Sequence, residues 1–291
     1  MEIYYALFVF SIFLNCASSI FGGFYNKKIE GLKNTSSLYS FLKLAAIFAF
    51  WFVRFAIDGF ALDAGVLLYS LVLSVCFFGG VYGFISALKT GSNVISTLML
   101  NVSSIIVSIW GIIFWDQPLT TLVVLGLILV IVAVFLCLYK GKEEDKKASL
   151  SWLMYLAITF FGNAGCGIIM KEQQIAFNNL YSPFFMMTAI GICTIAAFLM
   201  FYFGDRSDAK ELIKRAWYFP VVEGLCNALM NMISLILLTT SLSINVLYPV
   251  RGVITLMLVT MFSALIFKER MKWWQWIGVA VGIAAVGILS I

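Results

Sequence analysis

The sequence predicts an all-α integral membrane protein of ten transmembrane helices, arranged as two inverted five-helix repeats. Three observations lead there. Of 291 residues, 63% are hydrophobic and 11% charged, with a mean hydropathy of +1.02; a soluble domain is typically about 25% charged and 45–50% apolar. The apolar residues gather in ten runs, each of roughly the 20 residues that cross a bilayer core about 30 Å thick. The second half of the chain also repeats features of the first. This composition excludes disorder, collagen and a nucleic-acid binder, and leaves too little polar surface for an ordinary soluble enzyme. Strands are excluded because the runs are about twice a barrel strand's length and do not alternate.

The runs follow in order, bounded by charge and turn clusters. Span 1 covers 3–25. It carries Glu2 and no basic leader, and it is too long for a signal h-region, so it is expected to be a span. A polar connection from Lys27-Lys28 to Ser37 leads to span 2 at 37–57; spans 3, 4 and 5 cover 64–87, 93–115 and 119–139. The polar stretch Gly141–Ser149 separates these from span 6 at 150–170 and span 7 at 182–203. The stretch Gly204–Ala216 predicts a short surface helix before spans 8, 9 and 10 at 217–241, 244–267 and 273–291. No soluble domain is inserted, and there is no Walker A sequence, so this chain alone is not expected to use ATP.

Nineteen basic and fourteen acidic residues give a net charge of +5. Loops after odd-numbered spans hold most of the cations, among them Lys27, Lys28, Lys140, Lys142, Arg206, Lys210, Lys214, Arg215, Lys268 and Arg270. The positive-inside rule then places these loops in the cytoplasm and both termini outside. Lys43, Arg54, Lys89 and Lys171 read as interfacial anchors. Trp152, Trp217, Trp273, Trp274 and Trp276 stand at span ends, where an aromatic belt is expected. The six cysteines all lie in apolar runs without a CxxC pair, so they read as small buried hydrophobes. The chain has no histidine, and therefore no imidazole base, metal ligand or pH switch.

A shift of 152 residues lays Asn93-Val94 on Asn245-Val246, Trp115 on Phe267, Gln117 on Glu269 and Gly126 on Gly278. A shift of 148 lays Asn15 on Asn163. The halves are 1–143 and 144–291, with five spans each. An odd number of spans turns the second copy upside down, and inverted repeats are the architecture of secondary transporters.

The stretch Phe267-Lys268-Glu269-Arg270-Met271, followed by Trp276-Ile277-Gly278 and a small-residue helix, resembles the closing motif of the drug/metabolite transporter superfamily. It is most similar to the ten-helix EamA-like branch. Tyr248-Pro249-Val250 matches the proline usual near the start of the ninth helix, while the first half departs at the acidic position, carrying Gln117 beside Asp116. The resemblance implies the ten-helix fold and gradient-driven transport. It leaves the substrate open among amino acids, amines, sugars, nucleotide sugars and drugs.

Polar side chains in hydrocarbon need partners or water, so stripes of them point inward. Span 4 carries Asn93, Thr97, Asn101, Ser104 and Ser108 on one helical face, and span 8 carries Glu223, Asn227 and Asn231 at intervals of four. Span 3 adds Ser70, Ser74, Tyr82 and Ser86, span 9 adds Arg251 and Thr255, and Asn15 and Asn163 lie mid-span. The bland alternative is interhelical hydrogen bonding worth about 0.6 kcal/mol each. Asn15, Tyr82, Thr97, Asn101, Asn163, Asn227, Asn231, Tyr248 and Arg251 are the candidate substrate-binding residues. Arg251 offers a bidentate fork for carboxylate or phosphate, and Tyr82 and Tyr248 offer walls or a cation-stacking face.

Glu223 is the candidate for proton coupling, with a first-turn helix-dipole role after Pro220 as the alternative. Under the 152 shift, Glu223 falls opposite Leu71 and Arg251 opposite Met99, so a symmetric scaffold requires neither charge. The spacing of Gly278, Ala280, Gly282 and Ala284 predicts a close-packing face, within the monomer or against a second copy.

The expected function is secondary transport of a small polar or charged metabolite, an amino acid or amine among the candidates. A passive facilitator is the alternative, and an intramembrane enzyme the third reading. No cofactor, metal or nucleic acid is implied. The expected partners are the substrate, the bilayer and a coupling proton or sodium ion; monomer and homodimer are both open. The expected location is a bacterial cytoplasmic membrane.

Overall fold

The computed structural model describes residues 2–29, 32, 35–91, 96, 99–100, 102–117, 119–138, 149–240, 250–252, 254–255, 258, 261–262 and 272–289. Most of these residues are helical, with no strand among them. The ordered helices are α1 (Glu2–Lys28), α2 (Ser36–Ile57), α3 (Val66–Thr90), α4 (Ser104–Phe114), α5 (Thr121–Leu138), α6 (Leu150–Ala176), α7 (Ser182–Phe203), α8 (Ala209–Ala216), α9 (Tyr218–Leu238) and α10 (Trp273–Leu289). Six of them, α1, α2, α3, α6, α7 and α9, are long and apolar enough to cross a membrane, as a multi-pass membrane protein requires. Large apolar side chains such as Leu68, Val75, Phe135, Phe161 and Ile195 are exposed around the outside, which suits lipid rather than water. Most of span 9, and with it the 267–271 motif, lies outside the described residues.

The local chemistry explains where helices begin and end. Ser149 caps α6 by accepting from the Trp152 amide at 3.2 Å. Pro183 enters α7 in its first turn, where its missing N–H costs nothing. The surface helix expected at 204–216 is α8; it buries Leu212 and Ala216 and exposes Lys210, Lys214 and Arg215.

The six long helices share one core, in which Leu44, Ile47, Leu73, Phe185, Ile190 and Leu237 are fully enclosed. The closest pairings are α3 with α6, α2 with α7, and α1 with α9, while α5 and α10 form a separate pair. Small residues set two of the crossings. A Cβ on Gly162 of α6 would sit 2.7 Å from both Cys76 O and Gly80 N of α3. One on Gly224 of α9 would sit 2.5 Å from Lys43 O of α2. Both places need glycine because backbone meets backbone. The α10 small-residue face divides: Gly278, Gly282 and Ala285 are buried, whereas Ala280 and Ala284 are exposed.

Several expectations change. Trp152 is not in an interfacial belt; it is 5% exposed, packed with Ala87 and Leu156 and seated where Gly91 has no side chain. Trp217, Trp273 and Trp276 are exposed. Lys171 donates to Leu238 O at 2.8 Å, satisfying a carbonyl at the end of α9. Lys43 is no anchor at all, since it is 3% exposed inside the bundle.

Candidate functional site

A cavity of about 110 Å3 runs inside the bundle, bordered by α1, α2, α3, α4, α6, α9 and the helical residues at 250–252. Its wall carries six of the ten residues singled out from sequence: Asn15, Asn163, Glu223, Asn227, Asn231 and Arg251. Thr97, Asn101 and Tyr248 lie outside the described residues. Tyr82 is elsewhere: it stacks on Phe78 at 6.2 Å and meets Tyr155 edge-on at 6.4 Å, forming an aromatic seam between α3 and α6. Two of the span 3 serines are spent on backbone carbonyls, Ser70 on those of Val66 and Phe185 and Ser74 on that of Leu71.

The two mid-span asparagines make matching contacts. Asn163 Nδ2 donates to Ser103 Oγ at 2.7 Å and to Leu100 O at 2.9 Å. Asn15 Nδ2 donates to Thr255 Oγ1 at 3.3 Å. Ser103 and Thr255 are 152 positions apart, the same offset that aligns the ends of the two halves. Each asparagine therefore ties its helix, α1 or α6, to a hydroxyl-bearing residue distant in the sequence. On α9, Asn231 Nδ2 donates to Asn227 Oδ1 at 3.0 Å, closing a side-chain bond along the cavity face.

The charges occupy different ends of the cavity. Lys43 Nζ and Glu223 Oε1 form a buried ion pair between α2 and α9. Glu223 follows the first turn of α9, so the helix-dipole reading does not apply. The pair lies toward the end of the bundle where α1 ends and α2 begins. Between it and that end, Tyr25 and Tyr39 pack ring to ring at 4.1 Å, both buried. Toward the other end, Arg251 Nη1 donates to Ser234 Oγ at 2.6 Å. The sequence placed Glu223 and Arg251 too far apart to pair directly, and Lys43 is the partner that it did not supply. Among the described residues, no group of three or more acidic or cysteine side chains is placed to hold a metal.

A further cluster escaped the sequence reading. Trp110 and Trp115 both donate to Glu172 Oε1, at 3.3 and 3.0 Å, pinning the end of α4 to α6. Glu172 gave no signal because a carboxylate near a span end reads as solvated.

No protein-family model matches the chain, and no curated protein matches it. A solved structure described only as the crystal structure of a protein superposes with a TM-score of 0.70 at 10% identity, over 99% of this chain and 96% of that one. That likeness concerns the fold alone.

Proposed function

We propose that the chain is a secondary transporter of a small polar or charged metabolite, working by alternating access around the central cavity. The observation that carries this reading is the cavity itself. Asparagines from both halves face it, each bonded to a hydroxyl at the repeat-related position. The proposal includes ten spans, two inverted halves at 1–143 and 144–291, membership of the EamA-like branch, and a bacterial cytoplasmic membrane.

In this reading the cavity is closed, toward the end where α1 ends and α2 begins, by Lys43–Glu223 and the tyrosine pair. Glu223 is the coupling carboxylate. A proton delivered to it neutralises the charge that holds Lys43, so protonation loosens the α2–α9 contact. The polar cavity wall supplies replacements for the hydration that a polar solute loses on entry. Arg251 is the residue for a substrate carboxylate or phosphate.

The experiment is a thermal-shift screen of purified protein against a metabolite library, followed by uptake of the hits into proteoliposomes under a proton gradient. Uptake that follows the gradient and loses its proton dependence in Glu223→Gln supports the proposal. Uptake indifferent to every imposed gradient favours passive facilitation.

A further inference from the structure

The Lys43–Glu223 pair has features that a purely structural ion pair does not need. Replacing a buried ion pair by apolar side chains is often neutral or stabilising. The α3–α7 crossing is made without a buried ion pair among the described residues, Ser70 and Cys193 each bonding a backbone carbonyl of the other helix. Two long helices of this bundle therefore pack together without charge.

The pair is also chemically incomplete. A carboxylate has about four acceptor sites and an ammonium three donors. Glu223 uses Oε1 for Lys43, and the Ser18 hydroxyl approaches its carboxyl, but Oε2 is buried without a well-formed hydrogen bond among the described residues. Its near surroundings include Gly22, whose missing side chain leaves space 3.9 Å from Oε2, and the hydroxyl-bearing Ser18 of the cavity wall. Lys43 likewise makes one described hydrogen bond, to Glu223. Both side chains border the cavity. A buried polar atom with unused hydrogen-bonding capacity is costly, so a ligand that completes both valences gains what the empty site forgoes.

We infer that the Lys43–Glu223 pair is the recognition site for a small zwitterion, whose ammonium donates to Glu223 Oε2 and whose carboxylate accepts from Lys43. The four charges then alternate around a ring, and no net charge is added to the buried site. A lone amine or a lone carboxylate would complete one side and leave an added charge in the bundle. Size sets a second limit. A dry cavity of about 150 Å3 accepts benzene, and this one is about 110 Å3. The fitting class is a zwitterion with ammonium and carboxylate on neighbouring atoms and a short side chain. The inference rests on the transport reading for the cavity's purpose, but the binding claim stands or falls by itself. It also gives coupling a form, since a proton and the ligand ammonium compete for one carboxylate.

The test is a thermal-shift titration of the full-length protein in detergent with glycine, L-alanine, L-serine, propylamine and propionate. Stabilisation by the amino acids, with propylamine and propionate inert at tenfold higher concentration, is the expected result. The double variant Lys43→Met with Glu223→Gln removes both charges together, leaves no lone buried ion, and should melt normally while losing the response. Equal stabilisation by propylamine or by propionate overturns the inference in favour of a single-charge site. An unaltered amino-acid response in the double variant, or no response in the parent protein, also overturns it. If alanine binds and the double variant loses it, yet proteoliposomes do not take alanine up, the site assignment holds and the transport reading fails.

Discussion

Removing one partner of the buried pair provides a quantitative check on the arrangement at the α2–α9 crossing. Lys43→Met leaves Glu223 as an uncompensated charge that is 1% exposed, and Glu223→Gln leaves Lys43 in the same position at 3%. Breaking a buried pair in this way costs about 3–5 kcal/mol. With about 2–4 °C per kcal/mol for a chain of roughly this size, the melting temperature should fall by about 6–20 °C in either single variant. The double variant should recover most of that loss, because the penalty belongs to the orphaned charge rather than to the missing attraction. Salt should change little, since buried pairs are weakly screened. A thiol-reactive dye suits the assay once Cys76 and Cys226, which are half-buried, are replaced, because Cys16, Cys166 and Cys193 are buried until the bundle opens. Two single losses that simply add in the double variant, or that stay below about 1 kcal/mol, would refute the buried pairing.

Other consequences follow from separate parts of the structure. Gly162→Ala places a Cβ 2.7 Å from two backbone atoms of α3 and should cost about 1–3 kcal/mol, whereas Gly79→Ala meets only Ile158 at 3.6 Å and should melt like the parent. Cysteines at positions 227 and 231 should react with a water-soluble thiol reagent, and protection of both in every condition would remove the watered cavity. Asn163→Ala breaks two hydrogen bonds yet should cost only about 0.6–1.7 kcal/mol in stability, so uptake should fall much further than the melting point. Arg251→Lys keeps the charge and loses the fork; at the end of the cavity away from Lys43, weaker binding of a ligand that carries a phosphate or a second carboxylate is expected with an unchanged fold, and unchanged affinity would free Arg251 from that role.

What could be read from the sequence was what periodicity and self-similarity encode. Glu223, Asn227 and Asn231 recur every four residues, and they share a cavity face because a helix requires it. Asn15 and Asn163 stood out as a pair aligned at a shift of 148, and their partners Thr255 and Ser103 are related by the other shift, 152. Lys43 was hidden because a lysine seven residues into a span is indistinguishable from one that snorkels to the surface. Its burial depends on which helix crosses it, and that is a fact about packing. Gly224 beside Glu223 was the available hint, since a glycine next to a buried charge marks a close helix approach. Trp152 failed for a related reason. A tryptophan at a span start reads as interfacial unless the facing residue is known to be Gly91. Tyr82 lay on a polar-looking helix, two of whose serines turned out to be bonded to carbonyls.

Counterflow in proteoliposomes tests the central claim most directly, because it separates a carrier from a channel. Vesicles holding the purified protein are loaded with unlabelled L-alanine and diluted into a trace of labelled L-alanine, with no ion gradient. An alternating-access carrier that takes small zwitterions should concentrate the label transiently above its equilibrium level, and the Lys43→Met, Glu223→Gln double variant should not. Label that rises only to equilibrium, in parent and variant alike, would contradict the account.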